Sequence, residues 1–279
     1  MKSKGTLFEK ELEDVFLKSV NKEPVPKTSS PTLSSFFYIC SSASKKNYYQ
    51  YYFELRDHYI FCKREKTKDY IAFMDVQHAF MKMTKGTMIN GKPFFGLKFI
   101  KKKTYEELFH EEEEVVNEWI ERLKKCCILT KFRCYFESKQ VLGKGNFAKV
   151  FLVERKKDRK EYAVKVFDKE TIMKDELERK CLLYEIKMMR AMDHPRVLKM
   201  HELYEGILSN IIGENYIYCL CELYKGTDLL KAIIKKGPQK ELKALSIVYQ
   251  ILEALAFMHS KNVIHRDLKP ENIIFKVKN

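Results

Sequence analysis

Several things are missing from this chain, and each absence narrows the reading. Its eight cysteines, Cys40, Cys62, Cys126, Cys127, Cys134, Cys181, Cys219 and Cys221, form no C-x-x-C pair, and no Cys/His spacing fits a zinc site. The opening Met1-Lys2-Ser3-Lys4 leads into charged residues, with no signal-peptide hydrophobic region. Lys2 stands where N-myristoylation requires glycine. No apolar run approaches the roughly 20 residues of a transmembrane helix. These absences predict a reduced, intracellular, soluble protein, cytoplasmic or peripheral at membranes. A basic arm is missing too. The net charge of +15 divides as +1 over residues 1–30, +6 over 31–135 and +8 over 136–279, so no single tail carries it. A diffuse basic surface suits phosphate-bearing ligands or anionic membrane, and predicts no nucleic-acid partner.

What is present fits about two domains: 279 residues, 45% hydrophobic and 33% charged, enough to build sizeable cores. Residues 1–20 place Leu7, Phe8, Leu12, Val15, Phe16 and Leu17 between charges, a short helical pattern. Residues 21–35 hold Pro24, Pro26 and Pro31 among serines and threonines and read as a linker. From Phe36 the pattern becomes aromatic and β-branched runs separated by polar turns, predicting strands over 36–40, 48–55, 59–63, 70–75, 79–83 and 94–100. A helix over 111–125 follows, with Val115, Trp119, Ile120 and Leu123 at helical spacing.

Short antiparallel strands closed by one C-terminal helix bearing a tryptophan resemble a pleckstrin-homology domain, over residues 32–127. That resemblance implies a small β-barrel plugged by the helix, with Trp119 in its core. Phosphoinositide-binding members of that family carry a basic residue after the first strand, where Lys45 or Lys46 stands here. Their Arg/Lys-x-Arg pair on the second strand is replaced by Tyr49-Gln50-Tyr51, so the guanidiniums that grip phosphates bidentately are absent. The implied partner is therefore weakly bound anionic membrane lipid or a protein.

The second half carries the chemistry. His265-Arg266-Asp267-Leu268-Lys269-Pro270-Glu271-Asn272 places a carboxylate, a lysine two residues on and an asparagine five residues on in one loop. Upstream, strand–turn–strand over 136–154 contains Gly143-Lys144-Gly145-Asn146-Phe147-Ala148-Lys149-Val150, where two glycines let backbone N–H groups approach phosphate oxygens. Twenty residues after Gly145, Tyr162-Ala163-Val164-Lys165-Val166-Phe167 puts one lysine inside an apolar strand, which requires either an anionic partner or the solvent face of an edge strand. A helix over 175–192 offers Glu185. Helices over 229–236 and 241–259 then lead into the loop.

These motifs resemble those of eukaryotic protein kinases, the calcium/calmodulin-type serine/threonine group more than tyrosine kinases, over residues 136–279. The chain is thus predicted to be α+β and multi-domain: an extension and linker over 1–31, the small antiparallel barrel with its capping helix over 32–127, and a kinase-like fold over 136–279 with a β-rich N-lobe and the first helices of an α-rich C-lobe. The resemblance implies ATP and Mg²⁺ as cofactors and protein substrates as partners. By it, Asp267 accepts the substrate hydroxyl proton, Lys269 steadies the γ-phosphate and Asn272 ligates Mg²⁺. Lys165, held by Glu185, grips the α/β-phosphates. Leu142, Gly143, Lys144, Gly145, Asn146, Phe147, Ala148, Val150, Ala163, Glu222, Tyr224, Asp228 and Ile274 surround the nucleotide, with Cys221 behind its pocket. Ala148 stands where the pattern has a third glycine. The family's Asp-Phe-Gly is not among the 279 residues. This predicts a kinase domain truncated before that motif, and leaves as the alternative an inactive, pseudokinase-like scaffold or adaptor whose apolar helix stripe over 241–259 is left uncovered.

Overall fold

The structure, a computed structural model, describes residues 7, 17–20, 24–40, 47–66, 69–102, 104–145, 148–206 and 215–276. In chain order its strands and helices are β1 (Lys18–Ser19), β2 (Leu33–Cys40), β3 (Tyr48–Arg56), β4 (Tyr59–Lys63), β5 (Tyr70–Asp75), β6 (Phe80–Ile89), β7 (Lys92–Lys101), β8 (Thr104–His110), α1 (Glu113–Leu123), β9 (Ile128–Leu129), α2 (Phe132–Tyr135) and β10 (Phe136–Lys144). They continue with β11 (Ala148–Arg155), β12 (Glu161–Asp168), α3 (Lys169–Lys174), α4 (Glu176–Ala191), β13 (Met200–Glu205), β14 (Tyr216–Cys221), α5 (Leu229–Lys236) and α6 (Glu241–Ser260). The chain divides into two compact units, residues 1–132 with 202–217, and residues 133–201 with 218–279. Of the predicted helical pattern over 1–20, the residues before Leu17 other than Leu7 lie outside the described set, as do Lys45 and Lys46.

In the first unit, β5, β4, β3, β2, β8, β7 and β6 are joined antiparallel in that order. Inward-facing Phe37, Phe53, Leu55, Leu97 and Phe99 meet Val116, Trp119 and Leu123 of α1 in a single core. Val116, Trp119 and Leu123 fall at i, i+3 and i+7, one stripe of a helix. Of the predicted stripe Trp119 and Leu123 are buried as expected, Val116 takes the buried place expected of Val115, and Val115 and Ile120 are only partly covered. Trp119 is completely buried, its ring edge-to-face on Phe37 at 5.1 Å, and its Nε1–H donates to Ser35 Oγ at 3.2 Å. A buried indole needs that partner.

Two strand predictions fall short. The strand expected over 79–83 runs to Ile89, because Thr84, Lys85, Thr87 and Met88, though polar or exposed, still pair with β7 around a bulge between Lys85 and Thr87. Strand β8 was not expected at all. Its Glu106 and Glu107 disguise it, yet Glu107 is satisfied by Thr84 Oγ1 and by Lys98 Nζ at 3.1 Å. The β6–β7 hairpin turns on Asn90-Gly91, with φ of 49° and 79°, the left-handed pair that a two-residue hairpin demands. Glu54, 6% exposed, is held by Lys63 at 2.7 Å, Arg56 at 2.9 Å and Tyr70 Oη–H at 2.7 Å. Burial opposes its charge, but these three donors win and keep the carboxyl below its ordinary range.

Within the same unit, β9 pairs in parallel with Phe80 on one side and with Leu203 and Tyr204 of β13 on the other. Lys124, just past α1, reaches Glu202 Oε1 at 2.9 Å, and the Leu7 N–H donates to Glu205 Oε1 at 2.8 Å.

In the second unit, β10, β11 and β12 form an antiparallel meander, with β14 on the other side of β12. Asp175 caps α4 by accepting from the N–H groups of Leu177 and Glu178, and Leu182, Leu183 and Ile186 face inward. Short α3, capped by Asp168, precedes it and was not foreseen. Helix α6 buries no residue, and Leu242, Leu245, Val248, Tyr249 and Leu252 are exposed. Contrary to expectation, α6 is long and apolar enough, by length and composition, to cross a membrane. Among the described residues no disulfide joins any of the eight cysteines; Cys134 and Cys181 are exposed, while Cys62, Cys127, Cys219 and Cys221 are buried.

Candidate active site

Every candidate residue belongs to the second unit. The β10–β11 hairpin carries the glycine turn, with Gly143 opposite Val150 and Lys144 opposite Lys149. The register slips between Val141 and Gly143, and Val141 and Leu142 are both exposed there. Gly145 N–H donates to the Ala148 carbonyl at 2.8 Å and closes the loop. Asn146 and Phe147, at its tip, lie outside the described residues.

Val150 pairs directly with Lys165 on β12. Because β12 has β11 on one side and β14 on the other, Lys165 is not on an edge strand. Its ammonium meets Glu185 Oε1 at 2.5 Å and lies 5.0 Å from the Phe167 ring centroid. α4 places Glu185 there because Leu182, Leu183 and Ile186 pin the neighbouring face of the helix inward. The strand lysine thus has the anionic partner that its position requires.

β14 ends in Cys221, and the chain passes through Glu222 to Tyr224. The Glu222 N–H donates to the Lys199 carbonyl at 2.9 Å. The Glu222 carboxylate accepts from Tyr224 Oη at 2.7 Å and from Lys276 Nζ at 3.2 Å, while Lys276 stands over the Tyr224 ring. Burial opposes its ionisation, but the two donors hold Glu222 below the usual carboxylate range. Burial pushes the Cys221 thiol up to about 12, and the neighbouring Cys219 thiol is raised by burial as well. Neither is poised as a nucleophile.

Asp228 caps α5, accepting from Lys231 N–H at 2.8 Å, and its backbone bridges to Ile274. Leu229 N–H to Ile273 O and Phe275 N–H to Thr227 O extend that bridge. Gly226 lies so close that a Cβ there would stand 1.7 Å from the Phe275 carbonyl oxygen. The segment after β14 and the segment after the His-Arg-Asp loop are thereby tied together. Lys276 and Gly226 were not among the candidates: a lone lysine carries no local signal, whereas the glycine between Lys225 and Thr227 marks a close approach.

In the loop itself, Arg266 has φ of 63°, a left-handed conformation uncommon for its residue type. Asp267 Oδ1 meets Lys269 Nζ at 3.0 Å, and Asn272 Nδ2 donates to Asp267 O at 2.8 Å and Oδ2 at 3.0 Å. The Lys269 ammonium first, and the Asn272 amide second, keep the Asp267 carboxyl below its ordinary range. The carboxylate is therefore ionised at neutral pH, and it is exposed.

Residues 136–279, just over half of the chain, match the family profile described as Protein kinase domain. The chain belongs to the protein kinase family. Kinases similar to it include calcium-dependent protein kinase 4 of Plasmodium falciparum (isolate 3D7), 36% identical over 148 residues, covering 53% of this chain and 26% of the relative. Myosin light chain kinase A of Dictyostelium discoideum is 33% identical over 150 residues, covering 54% of this chain and 48% of the relative. Calcium/calmodulin-dependent protein kinase type 1 of Caenorhabditis briggsae is 38% identical over 141 residues, covering 50% and 37%. The kinase sequence here therefore spans from about a quarter to just under half of the length of these relatives.

Proposed function

We propose that the protein is an ATP-dependent serine/threonine kinase that transfers the γ-phosphate of ATP to hydroxyls of protein substrates. The observation that carries this is the Lys165–Glu185 ion pair, formed at 2.5 Å on a non-edge strand beside the glycine hairpin. Lys165 serves as the cationic grip on the α/β-phosphates, and the 143–150 turn covers them with backbone N–H groups. Leu142, Val150, Ala163, Tyr224 and Ile274 enclose the adenine, with the backbone of Glu222 and Tyr224 at its polar edge and Asp228 at the ribose.

Asp267 orients the substrate hydroxyl and accepts its proton, and Lys269 steadies the phosphate being transferred. Asn272 uses its amide nitrogen on Asp267, which leaves its carbonyl oxygen, a hard donor, to hold Mg²⁺. Bound Mg²⁺ supplies charge neutralisation for the phosphate oxygens. The names of the relatives favour a calcium/calmodulin-type kinase. The strands over 32–127 with their helix support a pleckstrin-homology-like module that targets the kinase to a membrane or protein.

The second reading is a scaffold that binds nucleotide or a partner without transfer. It is favoured by one observation: Ala148 puts a Cβ into the turn where the kinase pattern has a third glycine, close to where the phosphates would lie. Incubation with labelled ATP, Mg²⁺ and a serine/threonine peptide mixture decides between the two. Label on peptide hydroxyls that Asp267→Asn abolishes supports the kinase; ATP binding without labelling supports the scaffold.

A further inference from the structure

The strand β13 contains two glutamates that are almost wholly out of solvent, Glu202 at 5% and Glu205 at 1% exposure. Buried carboxylates are costly unless donors meet them. Here each acid takes one donor from outside the family-matched sequence. Lys124 Nζ meets Glu202 Oε1 at 2.9 Å while also holding Glu121 at 2.6 Å, and the Leu7 N–H meets Glu205 Oε1 at 2.8 Å. Tyr204 Oη–H donates to the second oxygen of Glu202 at 2.6 Å, and the Tyr204 ring stands edge-on to Phe132 at 5.2 Å. The backbone of β9 adds the parallel pairs Ile128–Leu203 and Leu129–Tyr204. All of these contacts lie inside one compact unit, which takes residues 202–217 away from the rest of the kinase sequence.

We propose that the corner formed by Lys124, β9 and Phe132 is a built-in docking site for β13, so that the sequence before residue 136 braces the kinase strand instead of riding on it as a detachable module. Two independent features point the same way. The buried acids of β13 take donors from residues 7 and 124, which a free kinase strand would not have. The strand pairing is parallel and non-local, so chain proximity alone does not produce it. The consequence runs along the chain. Lys199, immediately before β13, accepts the Glu222 N–H at the segment expected to receive the adenine edge. A brace on β13 therefore fixes the residue that presents that acceptor.

Native-state hydrogen exchange on the full 279-residue chain tests this, read at the amides of Leu203, Tyr204 and Glu222. Lys124→Met leaves Glu202 buried without its cation, and exchange at all three amides is expected to quicken by about tenfold or more. Adding Glu202→Gln removes the stranded charge and is expected to recover most of the protection. Lys125→Met, a neighbouring lysine, is expected to change nothing. The emission of Trp119 shows whether the first unit stays folded; if Lys124→Met unfolds it, the milder Tyr204→Phe serves in its place, with quickening of a few-fold expected. Unchanged exchange in both variants overturns the proposal. So does a change in β13 that never reaches Glu222, or a Lys124→Met defect that Glu202→Gln does not relieve.

Discussion

Replacing Lys165 by methionine separates what the ion pair does for the fold from what it does for the ligand. Lys165 is 34% exposed and Glu185 41%, so solvent screens their attraction even at 2.5 Å. Partly exposed pairs contribute about 0.2–1 kcal/mol, and methionine keeps the length of the lysine stem, so the expected loss of stability is under about 1 kcal/mol. For a protein of this size that shifts Tm by roughly 2–4 °C at most. A charge-assisted hydrogen bond to a phosphate contributes about 1.5–3 kcal/mol, a factor of roughly ten to a hundred and fifty in Kd. Lys165→Met should therefore bind ATP at least about tenfold more weakly while unfolding at nearly the wild-type temperature. Titration calorimetry with ATP and Mg²⁺, beside a thermal melt without nucleotide, reads both numbers. ATP affinity equal to wild type would refute the assignment of Lys165. A large fall in Tm would show that the pair is structural and that the screening argument is wrong.

Phe37→Ala, in a core where Phe37 touches Phe53 and Trp119, is expected to cost about 3–5 kcal/mol; urea unfolding followed by the emission of Trp119, the one tryptophan in the chain, measures it. Glu106 is pushed up to about 7 by burial, against an opposing hydrogen bond from the Leu17 N–H. Its folded pKa lies above the unfolded value of ~4.3, so its contribution to stability is fully present below ~4.3 and is lost as pH rises through 7. After discount for solvent screening this is roughly 1–2 kcal/mol. The half-buried His58, whose pKa is lowered by burial, acts in the opposite sense. The test is therefore the difference between wild type and Glu106→Gln at pH 5 and pH 8, which should grow in the variant's favour at the higher pH. Gly226→Ala forces a methyl into the Phe275 carbonyl and should release the 226–229 and 273–275 segments from each other, read as faster exchange at the Leu229 and Phe275 amides.

Local rules reach some parts of this molecule and not others. The α5 boundaries were legible because Asp228 and Gly237 bracket an apolar run, and both sit at the caps. The Lys165–Glu185 pair was legible because an interior strand lysine demands a carboxylate. Strand β8 was not, since its glutamates look solvated until Thr84 and Lys98 arrive from neighbouring strands. The pairing of β9 with β13 joins residues more than seventy positions apart, and no local pattern in Ile128-Leu129 foretells it. Lys276 was missed for the same reason: its partner Glu222 is 54 residues upstream.

The cysteines make the molecule selectively addressable. Burial raises the thiols of Cys62, Cys219 and Cys221 and removes them from reagents, whereas Cys134 and Cys181 are exposed. Cys181 sits one helical turn before Glu185 on α4. A maleimide dye added to the native, unmutated chain would therefore enrich at Cys134 and Cys181, both in the second unit, and its signal from Cys181 would track the helix that carries the lysine's counter-charge.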